Sequence, residues 1–301
     1  MIIIQVAGGL GNQLQQYALY TKLVSIGKTV KLDLSWFEDE KGKTKNSVTS
    51  GRNLELAYLS GVTYKVCNGN EINALTGGKG IVGKLRRKIF PATIHWFHES
   101  KIYHPEIFSF DNMYISGYFA CEKYYADILC DLRKKIQFPD SSNPENEQMA
   151  ERIKNSPSVS VHVRRGDYLN SENAAMFGNI CTEEYYQKAI ELIKKSVPNA
   201  QFYVFSDDIS YVKQRFAGEE YTIVDINHGK DAFYDMWLMS LCEHNICANS
   251  TFSFWGARLN ANEKKIMIRP TIHKNSQVFV KEEMEKLWEG WKFVSPEGEE
   301  I

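Results

Sequence analysis

Two adjacent guanidinium groups, a glycine and a carboxylate, Arg164-Arg165-Gly166-Asp167, stand at the end of the run Ser158-Val-Ser-Val-His-Val163. The valines alternate with Ser160 and His162, a period of two that predicts a strand with β-branched residues on one face. A strand that delivers cations from its carboxyl end into a loop has the geometry of a ligand crevice in an open α/β sheet. Arginine, planar and multi-donor, suits bidentate capture of phosphate. Alone, such a loop also fits a solvated salt bridge, so the neighbouring strand ends matter. A strand at Gln201–Phe205 runs into Ser206-Asp207-Asp208, and one at Asn245–Ala248 runs into Asn249-Ser250-Thr251-Phe252-Ser253 ahead of a helix. Ser250 and Thr251 at a helix N-terminus offer hydroxyls and backbone N–H groups to a phosphate, and the helix dipole adds to the attraction. Phe252 is a stacking surface for a base. Asp235, one turn into a helix expected over Ala232–Cys242, has the acceptor oxygens for the N1–H and exocyclic amine of a guanine. Singly these residues read as a cap, a core aromatic and a solvated carboxylate. Together on one crevice rim they point to a nucleoside diphosphate.

A second candidate lies at the N-terminus. Ile2–Val6 predicts a buried strand that breaks into Ala7-Gly8-Gly9-Leu10-Gly11-Asn12-Gln13, with a helical pattern from Leu14 to about Ile26. Such a turn lets backbone N–H groups approach a phosphate or sugar closely. The last glycine of the dinucleotide fingerprint is missing, so no NAD site is assigned. Asn12 and Gln13 bring two carboxamides to the turn, and Asn12 also reads as a helix cap. Gly78 to Lys84 has phosphate-loop spacing, but Leu85 replaces the Ser or Thr that would hold Mg²⁺ and no strand leads in. Lys79–Lys88 reads instead as a basic amphipathic surface segment, open to an acidic acceptor or to peripheral contact with a membrane face. His95, His98 and His104 are interleaved with aromatics and are expected to pack with them, and Cys242, His244 and Cys247 lack paired metal-knuckle spacing.

The elements that must position these groups alternate strand and helix through the second half, the pattern of a parallel doubly wound sheet. The tail from Val278 to Trp291 is expected to be helical at first, then acidic and frayed. Glu38 to Arg52 reads as a loop, Glu122 to Lys135 as a helix, and Pro139 to Glu147 as a linker before a helix at Gln148–Asn155. The boundary divides the chain into residues 1–145 and 146–301, two domains of ordinary size for 301 residues. Lys and Arg number 36 against 37 Asp and Glu, a net charge of −1, so no global field draws in nucleic acid. The six scattered cysteines read as reduced thiols, and the N-terminus reads as a strand rather than a signal peptide, which together predict a cytoplasmic chain. Without a secretory signal, the formal glycosylation acceptor Asn249-Ser250-Thr251 is set aside.

Gly8-Gly-Leu-Gly-Asn-Gln-Leu-x-Gln-Tyr-Ala18, Val161-His-Val-Arg-Arg-Gly-Asp-Tyr168, Phe205-Ser-Asp-Asp208 and Ala248-Asn-Ser-Thr-Phe-Ser-Phe-Trp-Gly256 together resemble glycosyltransferase family 11, the α-1,2-fucosyltransferases that use GDP-L-fucose. The resemblance spans residues 1 to about 270 and departs at Gln15, where the family often has Phe, and at Arg258, where Trp is common. It implies a GT-B fold, two Rossmann-like domains facing a central cleft, with the acceptor on the first and GDP-fucose on the second. It implies that Arg164 neutralises the β-phosphate, that His162 and Asp235 address the guanosine, and that Ser250, Thr251 and Phe252 cradle diphosphate and base. Asn12, with Gly11 beside it in the turn, would reach across the cleft toward the fucose or phosphate.

The reaction implied is inverting transfer of fucose to O2 of a galactose-terminated glycan, in bacterial surface polysaccharide synthesis. No Asp-x-Asp motif stands at a strand end, and transfer without a metal or other cofactor is expected. Candidate bases for the acceptor hydroxyl are Asp167, Glu172, Asp207 and Asp208, with Asp167 also a candidate partner for Arg165. The alternatives are a GDP-sugar transferase of other sugar or linkage, and a non-catalytic GDP-sugar or glycan-binding protein. The acceptor glycan and the oligomeric state are not legible.

Overall fold

The computed structural model describes residues 1–41, 53–78, 80–91, 94–169 and 171–301. They form two compact units, Met1–Gln137 and Phe138–Ile301. In the first, Ile2-Ile-Ile-Gln5 forms β1, and its isoleucines are fully buried. An apolar run without alternation suits a strand covered on both faces. There follow α1 (Leu10–Ser25), β2 (Val30–Asp33), α2 (Ser35–Lys41), α3 (Gly69–Thr76), α4 (Gly80–Ile89), β3 (Trp96–His98), β4 (Met113–Ser116) and α5 (Leu129–Lys135). The strands are parallel in the order β2-β1-β4-β3.

Helix α1 begins at Leu10 rather than Leu14. The chain turns on Gly8 at φ +84°, where an added Cβ would also meet the Asn12 amide at 2.6 Å, and extended Gly9 is the cap. Gly11, Asn12 and Gln13 therefore occupy the first helical turn, and Asn12 is not the cap. Gln13 is a buried strap rather than a ligand group: Nε2 donates to the carbonyls of Gly8 and Asn53, each at 2.9 Å, and Oε1 accepts from Leu56 N at 3.1 Å. Gln16 ties Ala7 N (3.0 Å) to Gly117 O (2.8 Å) in the same way. Two other expectations are corrected in this unit. Glu38–Lys41 belong to α2, while 42–52 lie outside the described residues. Glu122 to Lys135 is broken at Tyr125 (φ −146°) into two 3₁₀ turns and α5.

The second unit runs α6 (Pro144–Lys154), β5 (Ser158–Val163), α7 (Ser171–Phe177), α8 (Glu183–Ser196), β6 (Gln201–Ser206), α9 (Ile209–Arg215), β7 (Tyr221–Val224), α10 (Phe233–Leu241), β8 (His244–Ile246), α11 (Thr251–Leu259), β9 (Met267–Pro270), α12 (Lys281–Leu287) and β10 (Trp291–Val294). Its parallel sheet has the order β10-β9-β8-β5-β6-β7. Counted within the unit, that is 3-2-1-4-5-6 read from β7, the Rossmann order, with the switch point between β5 and β8. Val159, Val161, Val163, Phe202 and Val204 face α8 through Tyr185, Ala189 and Ile193. Tyr203, Phe205 and Val224 face Met149, Ala150 and Ile153 of α6 and Leu238 and Met239 of α10. Every residue of β5 is buried, so each valine contributes about 1.5–3 kcal/mol of burial and Ser160 must be satisfied internally, here by Asn245 Nδ2 at 2.7 Å.

Two elements differ from expectation here. The linker ends at Asn143, whose side chain caps α6 by accepting from Glu145 N at 3.0 Å, with Pro144 in the first turn. The tail is not frayed at Trp291: Trp291–Val294 pairs with Met267–Pro270 as the sixth strand, and Trp291, Phe293 and Val294 are buried.

Candidate active site

In an open parallel sheet the chains leaving two adjacent strands in opposite directions open a crevice at their carboxyl ends. Here those strands are β5 and β8. Two neighbouring tyrosines of α8 pin the rim from below: Tyr186 donates to His162 O at 2.9 Å and Tyr185 to Cys247 O at 2.5 Å. Tyr168 closes it from the side, donating to Asn249 O at 3.1 Å while stacking on Phe177 at 5.0 Å. Asn249, only 2% exposed, is a clasp whose Nδ2 donates to Phe177 O (3.1 Å) and His273 O (3.2 Å), so its formal glycosylation triplet is closed off.

The two arginines of the β5 loop have different surroundings. Arg165 is spoken for: its guanidinium lies 3.7 Å over the Tyr211 ring and its Nε donates to Asp208 Oδ2 at 3.1 Å. Its described partner is thus Asp208, whereas the side chains of Asp167 and Glu172 lie outside the described residues. Asp208 also caps α9 by accepting from Tyr211 N (3.0 Å). That bond first, and Arg165 second, hold its carboxyl below the usual range. Arg164 is held by Asp207, Nη1 to Oδ2 at 2.9 Å, and lies 5.7 Å over the Tyr168 ring. A guanidinium carries five N–H donors, so one fork can hold a carboxylate and a phosphate together. The other Asp207 oxygen accepts from Arg165 N at 2.8 Å. Asp207 and Asp208 therefore diverge onto separate partners. Gly166 makes this possible, because a Cβ there would sit 2.5 Å from Asp207 Oδ2.

Across the rim, Ser250 caps α11 and Thr251 opens it, the Ser250 side chain accepting from Phe252 N at 3.4 Å. The first N–H groups of a helix have no intrahelical acceptor and point out along its axis, toward any anion placed there. The ring of Phe252 is 5.8 Å from that of His162. His162 is 6% exposed, and its Nδ1 is buried with no hydrogen-bond partner among the described residues. Burial first, and then the charge of Arg164, hold its pKa down at about 4, so the ring is neutral near pH 7. Asp235 stands in the first turn of α10, beyond the carboxyl end of β7. Its Oδ1 accepts from Asn227 Nδ2 at 2.8 Å, and Asn227 is held in turn by reciprocal amide bonds with Asn146. Burial pushes the Asp235 carboxyl up to about 7 against the opposing effect of Asn227, so it is not the solvated carboxylate that its helix position alone suggests. α10 and α11 pack closely where Gly256 meets Met239, since a Cβ there would lie 2.8 Å from Met239 Cβ.

The second unit thus sets His162, Arg164, Ser250, Thr251 and Phe252 at the carboxyl ends of β5 and β8, and Asp235 beyond that of β7. Gly11 and Asn12 belong to the first unit, Gly11 buried and Asn12 half-buried. Sequence reasoning missed the residues that aim these groups: Tyr168, Tyr211 and Asn227. Tyr168 closes the Arg-Arg-Gly-Asp-Tyr run and was the one with a visible signal. On the first unit's carboxyl edge Tyr118 is 53% exposed between Gly117 and left-handed Phe119 (φ +51°). Glu99 fixes this loop by accepting from Tyr118 N at 2.7 Å and from Phe119 N.

A doubly wound sheet with a cation and a helix N-terminus at its switch point has the chemistry to hold an anion. Comparison with known proteins narrows the class. Residues 100–295 match the model of glycosyl transferase family 11. An α-1,2-colitosyltransferase of Escherichia coli is 30% identical over 291 residues, covering 90% of this chain and 91% of that one. The O-antigen biosynthesis glycosyltransferase WbnK of the same species is 30% identical over 281 residues, covering 88% and 92%. Galactoside alpha-(1,2)-fucosyltransferase 1 of Saimiri boliviensis boliviensis is 23% identical over 167 residues, covering 52% and 46%. The chain belongs to glycosyl transferase family 11, and its paired parallel-sheet units are of the GT-B type.

Proposed function

We propose that this glycosyltransferase moves L-fucose from GDP-β-L-fucose to O2 of a terminal galactose, with inversion. The observation that carries the reading is the pairing, at the carboxyl ends of the adjacent strands β5 and β8, of Arg164, held by Asp207, with the Ser250–Thr251 helix start. Both stabilise charge that grows on the departing diphosphate, the largest single contribution in such reactions. Phe252 and neutral His162 take the guanosine face, and ionised Asp235 accepts from the guanine edge. We assign the acceptor to residues 1–145, with Asn12 and Gly11 as candidate donor contacts and Tyr118 as a stacking face for galactose. Asp207 and Asp208 are committed to the arginines, which leaves Asp167 and Glu172 to deprotonate the acceptor hydroxyl. The same commitment favours transfer without a metal, since the two carboxylates diverge. No described helix is long and apolar enough to cross a membrane, and we read the enzyme as cytoplasmic, serving surface polysaccharide synthesis.

The E. coli relative named as a colitosyltransferase favours one rival donor, the GDP derivative of the 3-deoxy counterpart of fucose. A pocket that hydrogen-bonds the fucose 3-hydroxyl would reject the deoxy donor by about 10⁴-fold, whereas a merely apolar pocket discriminates by about 10²-fold. Initial rates with GDP-fucose, GDP-colitose and GDP-mannose on one galactoside test this. The reading expects the highest kcat/KM for GDP-fucose; a preference for either other donor overturns it.

A further inference from the structure

Amphipathic helices of soluble units turn their apolar stripe inward. Helix α4 does the reverse. Ile81, Leu85 and Ile89 are 86%, 55% and 54% exposed, while Gly83, with no side chain, is the buried position among the α4 residues whose burial is described. At about 100° per residue the three apolar residues fall within one quadrant of the helix. Phe90, 59% exposed, follows at its end. The concentration is local: of 14 large hydrophobic residues exposed among the described residues, Ile81, Leu85, Ile89, Phe90 and Trp96 fall between positions 81 and 96. Lys84 and Lys88 are exposed as well and border the stripe on one side.

The charge around the stripe selects its partner. From Ile72 to His98 the sequence has no aspartate or glutamate but carries Lys79, Lys84, Arg86, Arg87 and Lys88, a formal +5 in a chain of net charge −1. We infer that α4 is a membrane-docking helix that lies in the surface of an anionic bilayer, apolar stripe among the acyl chains and lysines at the headgroups. Its 10 residues are too few to span, so it can only lie on the surface. This inference is independent of the donor and acceptor assignments.

The test uses the full chain with phosphatidylcholine vesicles, either pure or containing about 30% phosphatidylglycerol. Wild type is expected to co-sediment with the anionic vesicles and at least tenfold more weakly with the neutral ones. Each basic residue near an anionic surface contributes roughly fivefold in affinity, so Lys84→Glu with Lys88→Glu should weaken binding at least about 25-fold. Leu85→Asp with Ile89→Asp should do the same while unfolding at an unchanged temperature, because those side chains face solvent. Equal binding to both vesicle types, binding by either double variant at the wild-type level, or no binding by wild type overturns the proposal. So does a wild-type dimer that Leu85→Asp with Ile89→Asp dissociates without any vesicle binding, which would make the stripe a contact between copies.

Discussion

Asp235 provides a prediction whose size follows from one number. Burial pushes its carboxyl up to about 7, and only the ionised form can accept both N–H groups of a guanine edge. At pH 6 about 9% of the free protein carries the charge and at pH 8 about 91%, so donor affinity should rise roughly tenfold across that interval. GDP-fucose is the right probe, because its diphosphate is esterified at both ends and does not titrate there, and His162 at about 4 is neutral throughout. Calorimetric titration at pH 6, 7 and 8 reads the slope directly. Asp235→Asn should flatten it and weaken binding by about 3 kcal/mol, roughly 150-fold, the value of two hydrogen bonds to a charged acceptor. The fold responds with the opposite sign. A carboxyl whose folded pKa lies above its unfolded value of about 3.9 costs stability as pH rises from about 4 to 7, so Asp235→Asn should unfold at a higher temperature than wild type at pH 8. Wild-type affinity that is flat with pH, or a variant that keeps the slope, would refute the assignment of Asp235 to the base.

Three further substitutions probe the surroundings. Arg164→Ala should lower kcat/KM by about 10²–10³-fold, while Arg165→Lys should act mainly on stability; steady-state kinetics on both separates the roles, and equal kinetic losses would contradict them. Gly166→Ala places a methyl 2.5 Å from Asp207 Oδ2 and should cost at least tenfold in donor affinity by displacing the group that orients Arg164, with little change in unfolding temperature. Gln15 is fully buried with neither amide atom partnered among the described residues, so Gln15→Met should stabilise the protein by about 1–2 kcal/mol in calorimetry. A lower unfolding temperature would show that the amide is used.

Much of this site is visible in the sequence because strand ends announce themselves. Val159 to Val163 alternates, ends in charge, and is followed by helix and strand in a regular rhythm, so the carboxyl edge of the second sheet can be assembled on paper. What stays hidden is the choice between equals. Arg164 and Arg165 are indistinguishable by residue type, so only the family motif singles out Arg164, and it is Asp208 and Tyr211, some 40 residues away in the chain, that hold Arg165 in place. Local signals were also overruled. Gly9 and Gly11 are poor helix formers that suggested a loop, yet α1 starts at Leu10 because the Gln13 and Gln16 straps hold its first turn. Asn143-Pro144-Glu145 has the composition of a linker and the chemistry of a helix cap. β10 was lost among acidic neighbours, although Trp291, Phe293 and Val294 needed only the edge of β9 to become a strand.

The most direct test of the central claim is linkage analysis of the product formed from GDP-L-fucose and lactose in the presence of EDTA. The account predicts lactose carrying α-fucose on O2 of its galactose, formed with stoichiometric release of GDP. Fucose on any other oxygen, a β-fucoside, or no transfer to any galactoside by protein that still binds GDP-fucose would contradict it.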